Sequence, residues 1–132
     1  MVDEGANPVT PEGLVLIEAE VARLEEALKT ETNVLLRETL ERDLRYWSQR
    51  KLTAEVVHPS KEGTVAFGST VTVERKGRKQ TFRIVGIDEA NAAKALISFR
   101  APLAQAVLGA HIGEVIDAAE PLGEIKIVAS AN

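Results

Sequence analysis

The sequence contains no cysteine among its 132 residues and few aromatic side chains, with one tryptophan, one tyrosine and three phenylalanines. A chain without cysteine forms neither disulfides nor thiolate metal sites. No apolar run reaches the roughly 20 residues that a membrane-spanning helix needs. The first residues, Met1-Val2-Asp3-Glu4-Gly5, are acidic, unlike the basic start of a secretory signal. We therefore expect a cytoplasmic protein with no membrane partner.

Charge is distributed unevenly along the chain. Residues 1–58 carry 12 Asp and Glu against 7 Lys and Arg, and residues 59–132 carry 8 against 9, so formal charges of −5 and +1 sum to −4. An acidic first half disfavours wrapping around a phosphate backbone, which attracts Lys and Arg. Docking on a basic protein surface would suit it better, although a solvated helical surface explains the same charge.

The first half has the apolar spacing of two helices. Thr10-Pro11-Glu12 is a favourable helix start, with a capping hydroxyl, a proline at the first helical position and an early acidic residue. Apolar residues follow at spacings of three and four, first at Leu14, Ile17, Val21, Leu24 and Leu28, then out of register at Leu36, Leu40, Leu44 and Trp47. This break predicts an antiparallel helical hairpin with a turn near 29–33, although one kinked helix is also compatible. The second helix should end by Glu55, before a loop through Ser60.

From Gly63 onwards the periodicity changes to that of strands. Apolar residues alternate on both sides of a turn at Lys76-Gly77-Arg78, which predicts a β-hairpin. Further strands are expected at 95–99, 115–119 and 124–129, with a short helix at 101–108 that Gly109 ends. We therefore predict an α+β fold, with a helical hairpin (coiled coil) over 1–58 and a small β-domain with one short helix over 59–132.

Several stretches of the second half resemble the C-terminal domain of the Gre transcript-cleavage factors, which enter the secondary channel of bacterial RNA polymerase. The similarity is carried by Val65–Val73, Phe82–Ala90, Ile97-Ser98, Ala101–Ala104 and Val107–Gly109. It implies an FKBP-like β-domain and a regulator of transcription elongation that binds the rim of that channel. Such a protein lies near the nucleic acid of the elongation complex, has no catalytic site of its own and needs no cofactor.

The turn between the helices departs from the family's pattern. Family members carry two acidic residues at the tip of a longer coiled coil, and these help to hold a second Mg²⁺ in the polymerase active site. The tip here consists of Thr30, Glu31, Thr32 and Asn33, with one carboxylate. The first helix would span only about 30 Å, at about 1.5 Å per residue. We therefore expect neither a metal site nor stimulation of transcript cleavage, with a genuine cleavage factor as the alternative.

The resemblance also implies a docking site. The loop from Ile97 to Pro102 corresponds to the family's contact with the polymerase rim helices, and Ser98 and Pro102 match its pattern. Arg100 stands where the family usually has Asp or Asn, and Ala101 where Ser is common. This reversal of charge can weaken docking or change the partner. Asp88 and Glu89 match the family's Gly-x-Asp-Glu-Ala and are assigned to the same contact.

Two further features of the sequence allow other interpretations. The basic run Arg75-Lys76-Gly77-Arg78-Lys79 has no interleaved aromatic residue to stack bases, which favours a solvated hairpin tip over an RNA contact. A peptidyl-prolyl isomerase would need an aromatic-lined pocket, and the three phenylalanines, Phe67, Phe82 and Phe99, lie at expected core positions. Val34 and Leu35, apolar residues beside the predicted turn, leave both a monomer and a weak homodimer open.

Overall fold

A computed structural model describes residues 6–58 and 63–131. These residues form two compact units, one ending at Val56 and the other beginning at Val57. A helical pair is followed by a domain with a mixed β-sheet, so the predicted α+β fold is confirmed. The predicted loop residues Pro59 and Ser60, beside the expected boundary at 58/59, lie outside the described residues.

The first unit is a helical hairpin. Helix α1 (Pro11–Thr30) and helix α2 (Val34–Thr53) have 20 residues each and are separated by a three-residue turn. The buried Thr10 caps α1, because its hydroxyl accepts a hydrogen bond of 3.0 Å from the Gly13 amide. Asn33 caps α2 in the same way through the Leu36 amide, at 3.1 Å. The hairpin is thus confirmed over the single kinked helix, and among the described residues neither long helix is apolar enough to cross a bilayer.

Two short strands that the sequence did not predict close the open end of this hairpin. Strand β1 (Asn7–Val9) pairs in parallel with strand β2 (Ala54–Val56). The Asn7 side chain donates to the Arg50 carbonyl at 2.8 Å and accepts from the Arg50 guanidinium at 2.6 Å. These contacts join the residues before α1 to the end of α2. The two helices are therefore linked at both ends.

Burial within the hairpin is one-sided. The buried residues of α1 follow the predicted stripe at Ile17, Val21 and Leu24, with Gly13 in addition. None of the residues of α2 is fully buried. Leu36, predicted to lie in the second stripe, is 53% exposed near the tip. Leu40, Leu44 and Trp47 are half-buried, so only this part of the second stripe packs.

The second unit is built on a five-stranded sheet with the order β5-β4-β3-β7-β6. Its strands are β3 (Thr70–Arg75), β4 (Arg78–Val85), β5 (Leu96–Ser98), β6 (Val115–Asp117) and β7 (Glu124–Ala131), and the short helix is α3 (Pro102–Val107). The β5 strand is parallel to β4, and the other pairings are antiparallel. Alternate residues of the sheet and the buried face of α3 form one core, which includes Val71, Val73, Phe82, Ile84, Ala104, Val107, Ile125 and Ile127.

The predicted β-hairpin is confirmed as β3 and β4, with Arg75 opposite Arg78. Its two turn residues, Lys76 and Gly77, have φ angles of 51° and 78°. Two consecutive residues with positive φ are characteristic of the type I′ turn, whose twist matches that of the flanking strands. Glycine tolerates this conformation readily, whereas Lys76 adopts it at some cost.

We expect Thr10→Ala to lower the free energy of unfolding by about 1–2 kcal/mol, because it removes the cap of α1 and leaves the Gly13 amide without that acceptor. Urea denaturation monitored by circular dichroism measures the change. Thr32→Ala, at an exposed threonine of the tip, is the matched control and should stay within about 0.5 kcal/mol of the wild type. Equal losses in the two variants would contradict the assigned cap.

Candidate docking surface and hairpin tip

The candidate docking surface lies at the edge of the sheet where β4 and β5 end. Because these strands run parallel, with Val85 opposite Ser98, their carboxyl ends meet at the same edge. The first of two 3₁₀ turns (Ile87–Glu89) directly follows β4, and the loop from Ser98 to Pro102 follows β5. The structure thus brings the two predicted segments to one side of the second unit.

The loop after β5 is held by hydrogen bonds on both sides of Phe99. The Ser98 hydroxyl accepts from the Arg100 amide at 3.1 Å, and the Ser98 carbonyl accepts from the Ala101 amide at 2.9 Å. The Phe99 amide donates to the Val85 carbonyl at 2.9 Å. Gln105 of α3 donates to the Phe99 carbonyl at 2.6 Å. The 5% exposed ring of Phe99 anchors the loop in the core, so its backbone has a defined shape.

Two side chains of this loop face solvent. Arg100 is exposed, with its guanidinium carbon 5.8 Å from the centroid of the Phe99 ring, a cation–π distance. Pro102 is exposed at the first helical position of α3. Ala101, in contrast, is half-buried against the core. The loop therefore exposes a cation and a rigid apolar ring to solvent.

Asp88 and Glu89 differ in their surroundings. Glu89 is 8% exposed, and its carboxylate accepts a hydrogen bond of 2.9 Å from the Gly86 amide. That bond closes the turn between β4 and β5, so Glu89 stabilises the edge rather than offering a free charge. Asp88 is half-buried. Within this turn, Asp88 is the acidic group nearer to solvent.

An apolar depression that the sequence did not indicate lies beside Pro102. It has a volume of about 500 Å³ and runs between α3 and the segment before β7. Its lining is Pro102, Gln105, Ala106, Ala118, Ala119, Glu120, Pro121 and Leu122. The lining residues come from two separate segments of the chain, so no local pattern could reveal it.

The hairpin tip is closed by a residue that no sequence pattern indicates. Arg37 donates to the carbonyls of Leu28 and Glu31, both at 2.8 Å. A cation on the last carbonyls of α1 offsets the negative end of its helix dipole. Arg37 is just inside α2, and this role arises only once the three-residue turn folds it back over α1.

The tip has one carboxylate, as its sequence requires, and that carboxylate accepts a hydrogen bond from the backbone of the tip itself. Glu31 accepts a hydrogen bond of 3.1 Å from the Asn33 amide, while Thr30 and Thr32 are exposed. Nearby, Glu26 pairs with Lys29 at 3.1 Å, which places a cation beside the tip. Across the described residues, no group of three or more His, Cys, Asp or Glu side chains is arranged to hold a metal ion.

The three phenylalanines form part of the core. Phe82 is almost completely buried, and Phe67 packs edge-on against Phe99 with ring centroids 5.8 Å apart. None of the three lines the depression beside Pro102. That depression therefore has no phenylalanine ring to bind a proline side chain.

The family model for the C-terminal domain of the transcription elongation factors GreA and GreB matches residues 59–129, more than half of the chain. The chain belongs to the GreA/GreB family. The matched segment includes the turn after β4, the loop after β5 and α3.

Curated relatives support this assignment. GreB of Pasteurella multocida is 38% identical over 87 residues, which cover 64% of this chain and 55% of the relative. GreA of Cereibacter sphaeroides is 39% identical over 74 residues, which cover 54% of this chain and 49% of the relative. The chain spans about half the length of the curated relatives it matches. Among solved structures, GreA factor homolog 1 of Thermus thermophilus aligns over 96% of this chain and 99% of its own, with 19% identity and a TM-score of 0.46.

We expect Arg37→Ala to destabilise the hairpin by about 1–2 kcal/mol, because two carbonyls at the end of α1 lose a charged donor. Chemical denaturation of the full chain measures the loss. Arg42→Ala removes an exposed arginine of the same helix and should change the free energy of unfolding by less than about 0.5 kcal/mol. Equal losses in the free energy of unfolding for Arg37→Ala and Arg42→Ala would show that Arg37 does not hold the tip closed.

Proposed function

We propose that this chain regulates transcription elongation by binding RNA polymerase at the rim of its secondary channel, without stimulating transcript cleavage. Membership of the GreA/GreB family supports a role in transcription elongation and RNA polymerase as the partner. The observation that carries the proposal is the pairing of a rigid, exposed loop after β5 with a hairpin tip that has a single, internally bonded carboxylate. In this proposal the chain has no catalytic residue or cofactor of its own and acts through the polymerase.

The loop from Ser98 to Pro102 has the properties of a docking element. Its backbone is fixed by the hydrogen bonds around Phe99, so little conformational entropy is lost when a partner binds. Exposed arginine and an adjoining apolar depression are typical of interface centres. Asp88 adds a charge of opposite sign at the same edge, which favours a partner surface that carries both signs.

The tip is poorly suited to delivering a metal ion. Mg²⁺ prefers octahedral oxygen coordination with one or two carboxylates from each protein site. Glu31 supplies one carboxylate, which already accepts a backbone hydrogen bond. Lys29, a cation in the last turn of α1, is only two residues away in the sequence. Helix α1, with its 20 residues, is about 30 Å long, shorter than the arm that the family uses to reach the active site.

A peptidyl-prolyl isomerase is the weaker candidate. The β-domain architecture alone does not confer that activity. The aromatic rings that would have to line a proline pocket are buried in the core at Phe82 and Phe99. No observation on the described residues favours this function over polymerase binding.

The docking assignment predicts that Arg100→Asp changes the affinity for RNA polymerase. The substitution restores the acidic residue that family members usually have at this position, so we expect binding to tighten several-fold. Pro102→Arg, which places a bulky cation on the same surface, should weaken binding about ten-fold or more. Biolayer interferometry with immobilised core polymerase measures both effects.

Lys94→Asp is the matched control, because it makes a similar charge change at an exposed residue before β5, at the opposite end of that strand from Arg100. Its affinity should equal that of the wild type. If Arg100→Asp and Pro102→Arg both bind polymerase like the wild type, the docking site lies elsewhere on the chain.

The second part of the proposal predicts no transcript cleavage. Added in excess to a backtracked elongation complex, the chain should leave the cleavage rate of the polymerase unchanged. In a mixture with a cleavage-stimulating Gre factor, it should slow cleavage by competing for the shared site. Rapid cleavage that disappears in Glu31→Gln would refute this part, and an absence of competition would count against the shared docking site.

A further inference from the structure

The turn between β3 and β4 concentrates positive charge in a chain that is acidic overall. Arg75, Lys76, Arg78 and Lys79 place four cations within five residues, against a formal net charge of −4 for the whole chain. None of the four side chains makes a hydrogen bond or ion pair with another described residue. This turn is at the amino end of β4, whereas the docking loop follows the carboxyl end of β5.

The strand register separates these cations between the two faces of the hairpin. Glu74 is opposite Lys79, so one face has a cross-strand pair of opposite charges. Arg75 is opposite Arg78, on the face that carries the buried Val73. Like charges directly opposite each other destabilise a sheet. The second face therefore has an uncompensated pair of arginines beside the turn.

These two arginines line a concave site. A depression of about 310 Å³ is bounded by Arg75, Lys76, Arg78 and Gln80, and none of these lining residues is acidic. The Nε atom of Arg75 is buried and has no hydrogen-bond partner among the described residues. A buried donor without an acceptor is unfavourable, and so is the repulsion between the arginines. A bound oxyanion in the depression would offset the repulsion between the two arginines.

We propose that this cationic depression binds the phosphodiester backbone of a nucleic acid duplex. Arginine matches phosphate oxygens with paired N–H donors, and Lys76 adds a third charge at the turn. No aromatic ring lines the site, so bases cannot stack there, and binding is independent of sequence. The proposal depends on the second unit alone and does not require polymerase docking.

The test measures binding of a short fluorescent DNA duplex by anisotropy over a range of salt concentrations. With three cations on phosphates, the logarithm of the association constant should fall against the logarithm of salt with a slope of about −2.7, about −0.9 for each contact. The double variant Arg75→Gln/Arg78→Gln should reduce this slope to about −0.9 and weaken binding at low salt.

A matched control separates the site from the overall charge. Lys126 is exposed between the buried residues Ile125 and Ile127, so it lies on the face of the sheet away from the depression. The double variant Lys126→Gln/Lys94→Gln removes the same number of positive charges, two, from positions outside the site. It should keep the wild-type slope within about 0.3, since neither residue contacts the backbone.

A single variant distinguishes loss of binding from loss of folding. Arg78→Glu places a carboxylate opposite Arg75, so it should raise the melting temperature while it abolishes duplex binding. Conversely, adding duplex should raise the melting temperature of the wild type but not of this variant.

Three results would overturn the proposal. The first is no detectable duplex binding at low salt, and the second is equal slopes for the site variant and the matched control. The third is binding of inorganic pyrophosphate without any binding of the duplex, which would make the depression a site for free phosphates.

Discussion

The hydrogen bond from the Phe99 amide to the Val85 carbonyl, 2.9 Å long, is the contact on which the candidate docking surface depends. Strand β5 has only three residues, and this bond extends its parallel pairing with β4 while the buried Phe99 ring anchors its carboxyl end. Together they bring the turn after β4 and the loop after β5 to one edge of the sheet. Glu89 then closes the first segment, and Gln105 holds the second. The exposed Arg100 and Pro102 belong to the loop that these contacts hold in place.

Much of the fold could be predicted because its long elements have clear periodicity. The stripe through Ile17, Val21 and Leu24 is buried as predicted, and the alternation around Lys76 and Gly77 is a β-hairpin. Strands β1 and β2 could not be predicted, because three residues show no alternation and their partners are more than 40 positions apart. The loop after β5 is predicted as a docking site by resemblance alone, whereas the roles of Arg37 and Glu89 depend on which backbone groups the fold brings near them.

The two units differ in how they use charge. In the hairpin, charged side chains near the tip are occupied by contacts within the unit, with Arg37 on backbone carbonyls and Glu26 on Lys29. In the β-domain, unpaired cations are at the amino end of β4, and the docking loop is beyond its carboxyl end. These ends are about 23 Å apart, at about 3.3 Å per residue. If both proposals hold, that separation would allow one small domain to contact a protein partner and a nucleic acid duplex at the same time.

The central claim is that the loop after β5 is the surface that contacts polymerase. Hydrogen–deuterium exchange of the chain, alone and saturated with RNA polymerase, tests it most directly, because protection localises the covered backbone without any substitution. The account predicts slower exchange at residues 86–89 and 98–106, with the hairpin tip at 30–33 unchanged. Protection confined to the tip, with the loop unaffected, would contradict it.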